Sequence, residues 1–342
     1  MNAYYATGDL VATVKEAYSL NKLLAFSIKA TVTLGLIWLV LREQDLTVLG
    51  ERLALISPLT VVSAMALLVG QNVITAQRWV VLMRLFGDAL PYRTSLRFFF
   101  EGLFFNQALP STVGGDGVRM YRVVKAGLPV EAGVNGVLLD RISGLFALLA
   151  IVAVTQPWLY ARVDDLPARA AFGFVIVAGI IGISMLILCR RLLVRWTKWG
   201  AVRGLVGLSD GVLSLFRQTG IAVPVFGISV IGHLMMVSAI FILSDELQLG
   251  VSFIDCLVLV PGVMLLSAVP ISIAGWGVRE AVMVAAMGLL GVAADASTSL
   301  SLIYGFIMVV IGLVGGVLWF ANPDKNVKEL STVDAGIDDR AT

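Results

Sequence analysis

The sequence predicts an all-α polytopic membrane protein with about six full spans and two re-entrant hairpins, eight membrane segments arranged as an inverted repeat. Of its 342 residues, 58% are apolar and 14% are charged, whereas soluble proteins carry about 25% charged residues. The mean hydropathy is +0.93, and apolar runs of roughly 20 residues, long enough to cross a bilayer, recur along the chain. A motif of proline and glycine also occurs twice, at a constant offset of 160 residues.

The two copies of this motif are residues 106–119 and 268–280, which align without a gap. A bilayer tolerates such irregular backbone only where it is buried in protein or lines a wet cavity. Paired segments of this kind, at matching places in two halves of a chain, indicate a transport site. The matched pairs are Ala108 and Ala268, Pro110 and Pro270, Gly115 and Gly275, Gly117 and Gly277, Val118 and Val278, and Arg119 and Arg279.

Apolar runs predict the membrane segments in chain order. The run 96–109 is too short to cross, so we expect it to form a re-entrant hairpin with a short helix at 118–127. Residues 253–269 and 277–292 mirror this arrangement in the second half. The six predicted full spans are 23–41, 58–76, 132–160, 170–189, 221–243 and 297–320.

Between the halves, residues 190–217 interleave basic side chains with leucine and tryptophan, which predicts an amphipathic helix lying on the membrane face. The acidic, polar C-terminus has the composition of a disordered tail. The predicted divisions are a cytoplasmic N-terminal segment 1–21, a first repeat 22–189, an amphipathic linker helix 190–219, a second, inverted repeat 220–321 and a disordered cytoplasmic tail 322–342.

Lysine and arginine placement predicts the orientation. The basic segments 78–97, 119–125 and 190–217 should face the cytoplasm, and the acidic loop 244–251 should face outward. Both termini then lie in the cytoplasm, and we expect the protein in the inner (cytoplasmic) membrane. Three full spans separate the two motifs, and this odd number inverts the second copy relative to the first.

The first motif has the features of an anion-binding helix start. Gly114-Gly115-Asp116-Gly117 precedes Arg119, so backbone N–H groups, the helix dipole and a guanidinium would meet at one place. Alternatively, these glycines only permit a sharp turn and close packing.

Asp140 and Arg141 lie well inside a predicted span, where an unpaired charge is costly. Adjacent helical residues point apart, so the two side chains need other partners. We expect Arg119 or Arg78 to pair with Asp140, and Glu101 to pair with Arg141. Such a network is either functional or purely structural.

The second half is not chemically equivalent to the first. Glu280 stands beside Arg279, Trp276 replaces the aspartate of the first motif, and Ser301 lies near the position of Asp140 once one residue is inserted. The chain contains no HExxH, paired CxxC, GxSxG, Walker or dinucleotide-binding pattern. We therefore expect no enzyme activity, no cofactor, no metal and no nucleic-acid partner, and we interpret the lone His233 as a helix-contact residue.

Several motifs resemble the lysylphosphatidylglycerol synthase transmembrane family, the flippase-like domain of multiple peptide resistance factor proteins. The resemblance covers roughly residues 20–321, and we expect no aminoacyltransferase domain after Phe320. It implies a membrane domain, here stand-alone, that moves a lipid between leaflets, in the best-known relatives an aminoacylated phosphatidylglycerol. The motifs are Arg78-Trp79, Phe105-Asn106-x-x-Leu109-Pro110-x-x-x-Gly114-Gly115-Asp116-x-x-Arg119, Leu139-Asp140-Arg141 and Pro270-x-x-x-x-Gly275-x-Gly277-x-Arg279-Glu280.

The expected function is therefore lipid transport through a polar cavity between the repeats, with a phospholipid, aminoacyl-lipid, hopanoid or polyprenyl-phosphate-linked lipid as cargo. Expected partners are a membrane lipid with an anionic or aminoacylated headgroup, and, as options, a lipid-biosynthesis enzyme and a second copy of the chain. The alternatives are a membrane-embedded headgroup transferase or hydrolase, with Glu101, Asp116 or Asp140 as base, and an accessory subunit of a lipid-biosynthesis complex. The candidate substrate-binding residues are Asp116, Arg119 and Arg122 at the cytoplasmic mouth, Arg279 and Glu280 at the outer mouth, Asp140 and Arg141 in the middle, and Arg78, Glu101, Asn106, Gly114, Gly115, Gly275 and Gly277.

Overall fold

The structure, a computed structural model, describes residues 56–86, 90–108, 114–194, 200–268 and 275–321. The described residues form eleven α-helices and no β-strand, which confirms the all-α prediction for this part of the chain. In order, the helices are α1 Pro58–Met83, α2 Tyr92–Ala108, α3 Gly114–Lys125, α4 Val130–Val154, α5 Gln156–Arg162, α6 Leu166–Leu193, α7 Gly200–Arg217, α8 Thr219–Glu246, α9 Phe253–Ser267, α10 Val278–Gly288 and α11 Ala294–Ala321.

Five of the described helices are long and apolar enough to cross a membrane, which makes this a multi-pass membrane protein. They lie in α1, α4, α6, α8 and α11, at five of the six predicted spans; the remaining predicted span, 23–41, lies outside the described residues. The apolar side chains of α6 point outward, with Phe174 72% and Met185 63% exposed. An apolar surface of this kind is stable against lipid and not against water.

Helices α1 and α8 pack side by side in opposite directions. The Ser57 hydroxyl caps α1 by accepting a bond from the Thr60 backbone N–H (3.2 Å), and Pro58 occupies the first turn, where no backbone donor is needed. At the end of α8, the Glu246 carboxylate accepts bonds from the Ser57 N–H and the Thr60 hydroxyl, both 2.9 Å. The start of α1 and the end of α8 therefore lie on the same side of the membrane.

Two predicted spans have different bounds in the structure. The span predicted at 58–76 continues to Met83, because Arg78 is paired inside the protein and does not have to reach the cytoplasmic surface. The span predicted at 132–160 ends at Val154, and α5 follows it. Pro157 explains this break, since its ring excludes a continuous helix through the preceding turn.

The described parts of the predicted linker helix 190–217 belong to two helices. Arg190 lies in the last turn of α6 and forms an ion pair with Asp210 on α7. Helix α7 buries Val206 and Val212 against its neighbours. The tryptophans predicted to lie at headgroup level, Trp196 and Trp199, fall outside the described residues.

The two predicted hairpins appear as two pairs of short helices, α2 with α3 and α9 with α10. Pro110 and Pro270, at the centres of the two motifs, lie outside the described residues. Helix α3 begins at Gly114, four residues before the predicted start, whereas α10 begins at Val278, close to its predicted start. The re-entrant placement, the total of eight membrane segments and the inverted repeat stay predictions.

Small residues bring α11 of the second half against α2 of the first. A Cβ atom added to Gly315 would overlap the Phe100 carbonyl oxygen, and one added to Gly316 would contact the Phe104 ring. Such close helix approach stabilises membrane bundles through van der Waals contact. Together with the α1–α8 pair, this contact joins the two halves into one bundle.

Candidate functional site

Asp140 on α4 is held by two arginines from different helices. Arg78 Nε on α1 donates to Asp140 Oδ1 at 2.8 Å, and Arg119 Nη2 on α3 donates to Asp140 Oδ2 at 3.0 Å. Both expected partners of Asp140 are thus present at once. Arg78 also donates through Nη1 to the Ser229 hydroxyl on α8 (3.0 Å), so this carboxylate and its arginines connect four helices.

The network continues from Arg119 to Asp116 and on to Arg141. Arg119 Nη1 lies 3.5 Å from Asp116 Oδ1, and Arg141 Nε donates to Asp116 Oδ2 at 2.7 Å. The expected pairing of Arg141 with Glu101 is therefore wrong. Because α3 begins at Gly114, Asp116 lies in its first turn and faces α4, where Arg141 reaches it. We refer to Arg78, Asp116, Arg119, Asp140 and Arg141 as the Asp140 cluster.

The Asp140 cluster is buried at one end and open at the other. Asp140 and Asp116 are each 2% exposed, whereas the Arg141 side chain is 44% exposed. Arg119 also lies against aromatic rings, with its guanidinium carbon 4.1 Å from the Trp79 ring centroid and 4.7 Å from that of Phe99. These rings supply further stabilisation of the cation away from water.

The Asp140 cluster contains three guanidinium groups and two carboxylates, so its formal charge is positive. Two of its buried polar atoms, Asp116 Oδ1 and Arg119 Nε, have no hydrogen-bond partner among the described residues. An unsatisfied donor beside an excess of positive charge favours an additional anion at this place.

Glu101 on α2 forms a second buried group. Its Oε1 accepts from Arg97 Nε one turn earlier (2.8 Å), and its Oε2 accepts from Arg122 Nε on α3 (2.7 Å). Arg122 is 1% exposed and lies 4.1 Å from the ring centroid of Trp319 on α11. Arg122, predicted at a cytoplasmic mouth, is thus inside the bundle and ties α3 to α2 and α11.

In the second half, Arg279 and Glu280 pair with each other. Arg279 Nη2 donates to Glu280 Oε1 at 2.7 Å, and Ser301 on α11 contacts both side chains at 3.1 Å. Glu280 Oε2 also accepts from the Gly277 N–H (2.6 Å), which caps α10. Arg279 and Glu280 are 6% and 2% exposed, so this predicted outer mouth is closed.

The two halves bind their motif arginine in related ways. Arg119 reaches Asp140 on the helix that follows its own, and Arg279 reaches Ser301 on the helix that follows its own. The serine cannot neutralise the arginine, so the adjacent Glu280 supplies the negative charge. Ser301 thus contacts the motif arginine of the second half, as Asp140 contacts that of the first half, in line with the predicted correspondence of their positions.

The motif glycines have a packing role in the first half and a turn role in the second. A Cβ on Gly115 would overlap the Gly102 carbonyl oxygen, and the Gly115 N–H donates to Asn106 Oδ1 at 2.9 Å, so α2 and α3 meet here without a gap. Gly275 and Gly277 have φ of 80° and 82°, which side-chain-bearing residues rarely adopt. The Gly115 N–H in the first turn of α3 is therefore already bound to a protein group, the side chain of Asn106.

The contact residues that were not among the predicted site residues include Arg97, Ser229 and Trp319. The spacing of four residues between Arg97 and Glu101 is typical of helical ion pairs and could have indicated the first. Ser229 and Trp319 carry no comparable signal, because their partners are distant in sequence. His233, as expected, is a helix-contact residue: its Nε2 lies 2.9 Å from the Gly144 carbonyl oxygen.

Residues 26–316 match the model of the lysylphosphatidylglycerol synthase TM region. The chain belongs to this family. No curated protein matches the chain.

The family relationship makes this a membrane protein of lipid metabolism or transport. The buried charged groups can therefore be compared with the chemistry of lipid headgroups. All four acidic residues of the three groups, Glu101, Asp116, Asp140 and Glu280, are bound to arginine. Paired guanidinium groups bind phosphate and carboxylate oxygens well. The arrangement therefore presents guanidinium groups that can bind an anion, and its carboxylates are already bound to arginine.

Proposed function

We propose that this protein moves a membrane lipid with an anionic headgroup between leaflets, and that the Asp140 cluster binds that headgroup. The observation that carries the proposal is the excess of arginine over acid in a buried cluster that opens to the outside through Arg141. A phosphate brings negative charge to a cluster in which the guanidinium groups outnumber the carboxylates. Membership of a lipid-associated membrane family supports a lipid as the source of that phosphate.

Binding would proceed by exchange of partners. Arg141 is half-exposed, so an incoming phosphate meets this residue first and competes with Asp116 for it. Arg119, whose Nε has no hydrogen-bond partner among the described residues, is the next group inward. Separating a buried ion pair without replacement is costly, but a phosphate that takes the place of the carboxylate keeps Arg141 paired, and Asp116 keeps its contact with Arg119.

The paired arrangement then represents a closed state with no lipid bound. Alternating access follows if the first hairpin opens to the cytoplasmic leaflet and the second to the outer leaflet, as the inverted repeat predicts. The inner membrane, cytoplasmic termini and a cavity that becomes polar when the ion pairs separate are parts of this proposal. Aminoacyl-phosphatidylglycerol and polyprenyl phosphates share the required phosphate.

The enzyme alternative receives less support from the geometry. Both oxygens of Asp140 and both oxygens of Glu101 accept bonds from arginine, and these two carboxylates pair with different arginines. Acid–base chemistry on a headgroup needs acidic groups that converge on one reacting atom. We therefore propose a transporter and not an enzyme.

A leaflet-exchange assay tests the proposal. Purified protein is placed in vesicles that contain phosphatidylglycerol with a fluorophore on one acyl chain, and a membrane-impermeant reductant quenches the outer leaflet. The double variant Arg119→Gln/Asp140→Asn removes one charge of each sign. It should slow exchange more than about tenfold, because losing buried charged contacts costs about 2–5 kcal/mol.

Arg190→Gln is the matched control. It removes an arginine from another ion pair, that with Asp210 between α6 and α7, and should leave exchange unchanged. Thermal unfolding and gel filtration check that both variants fold. Exchange at the wild-type rate in a folded Arg119→Gln/Asp140→Asn variant would contradict the proposal.

A further inference from the structure

An apolar cavity of about 440 Å³ lies beside the Asp140 cluster. Its volume falls within the range of about 300–1,000 Å³ that is usual for ligand pockets. Four helices form it: α4, α6 and α8, which are membrane spans, and α7. Among its lining residues are Leu139, Phe146, Ile183, Phe216 and Phe226.

The described lining is almost entirely apolar. Its one hydroxyl among the described residues, that of Ser143, already donates to the Asp140 carbonyl oxygen at 2.9 Å. A buried water needs two to four polar partners, and apolar cavities that cannot supply them bind hydrocarbons instead. Edge-on aromatic contacts of Phe146 with Phe216 and Phe226, with centroids 5.6 and 6.0 Å apart, form part of its wall.

The cavity and the Asp140 cluster share two helices. Leu139 and Ser143 line the cavity on either side of Asp140 on α4. On α8, Val225 lines the cavity, and its carbonyl oxygen accepts a bond from the Ser229 hydroxyl, which in turn accepts from Arg78. A molecule with a charged end at the cluster and a hydrocarbon end in the cavity would therefore match both surfaces.

We infer that the cavity binds one acyl chain of the phospholipid whose headgroup binds the Asp140 cluster. This inference rests on the proposed function for the headgroup and adds a binding site for the chain. Acyl chains are the apolar groups that surround α4, α6 and α8 at membrane depth, so the local concentration of this ligand is high. The second chain would stay in the bilayer.

Photolabelling tests the inference without measuring transport. Full-length protein in vesicles is irradiated with phosphatidylglycerol that carries a diazirine in the middle of one acyl chain, and labelled peptides are mapped by mass spectrometry. The label should fall on cavity residues of α4, α7 and α8. Gly227→Leu should reduce it about tenfold, because a Cβ there meets nothing within 4 Å and the leucine displaces about two methylene groups of the chain.

Gly173→Leu is the control, since Gly173 is a glycine of α6 with equally open surroundings and does not line the cavity. It should label like the wild type, and Ala222→Leu, at a second cavity position, should behave like Gly227→Leu. Label spread evenly over lipid-facing residues such as Phe174, or unchanged label in the folded cavity variants, would overturn the inference. So would labelling by a photoreactive polyprenyl phosphate and not by the phospholipid.

The two proposals fail separately. Cavity labelling that Gly227→Leu removes, in a protein without leaflet exchange, would support a chain site and contradict transport. Exchange that depends on Arg119 and Asp140, without cavity labelling, would support transport and contradict the chain site.

Discussion

The carboxylate of Glu101 is fully buried, and both of its oxygens accept bonds from arginine. We predict that Glu101→Gln destabilises the folded protein by about 3–5 kcal/mol, because it leaves buried guanidinium charge without its carboxylate. Thermal unfolding of the detergent-solubilised protein, followed by tryptophan fluorescence, measures the effect.

Asp164→Asn provides the comparison, since it also removes one carboxylate from an ion pair with arginine. The Asp164 side chain is fully exposed, so solvent already screens its pairing with Arg169, and little change is expected. Equal unfolding temperatures for the two variants would contradict a structural role for the Glu101 group.

At the scale of single residues, the sequence predicted chemistry better than geometry. The need of Asp140 for a cationic partner follows from its place inside a span, and both predicted arginines are present. The partner of Arg141 was predicted wrongly because it depends on where α3 begins. A difference of four residues in a helix start decides which carboxylate comes within reach.

Helices α2 and α3 are joined by the contact between Gly102 and Gly115. We predict that Gly115→Ala destabilises the protein by about 1–3 kcal/mol, because the added methyl group overlaps the Gly102 carbonyl oxygen and forces the helices apart. The unfolding temperature in detergent measures this effect.

Gly117→Ala, two residues later in the same helix, is the matched control. Its added methyl group meets nothing within 4 Å, and alanine favours helix over glycine by about 1 kcal/mol. It should therefore be neutral or slightly stabilising. If the two variants lose stability equally, the packing explanation for Gly115 is wrong.

At the scale of helices, the presence of each membrane span could be predicted from the sequence, whereas the residues at which the spans end were predicted less well. Long apolar runs gave five described spans, since bilayer thickness imposes the same length on each. The ends depend on local capping and on partners, as the extension of α1 to Met83 shows. The end of α4 at Val154 could have been predicted from the sequence, because Pro157 interrupts the hydrogen bonding of a continuous helix.

For the whole molecule, the predicted orientation can be tested with single cysteines in a variant in which Cys189 and Cys256 are replaced by serine. Asp245→Cys and Lys125→Cys lie at exposed positions near opposite predicted faces. A membrane-impermeant maleimide should label Asp245→Cys in intact cells and Lys125→Cys only after lysis.

Labelling of both cysteines after lysis checks that each position is accessible in the folded protein. The reverse pattern in intact cells would place both predicted termini outside, and labelling of both in intact cells would contradict the predicted spans between them.

The inverted repeat could be predicted only as a repeated sequence motif. The two prolines at its centre lie outside the described residues, and the matched glycines differ in backbone conformation, helical at Gly115 and left-handed at Gly275. Equal spacing in a sequence does not fix equal local geometry, because each copy packs against different neighbours.

Helices α1 and α8 come from different predicted repeats, yet they are fastened together near both ends. Glu246 binds Ser57 and Thr60 at one end, and Arg78 binds Ser229 near the other. Swinging one half as a block against the other would have to undo both attachments. We therefore expect these two helices to stay together, and in the proposed transport cycle the movement that admits a lipid would occur in the helices around them.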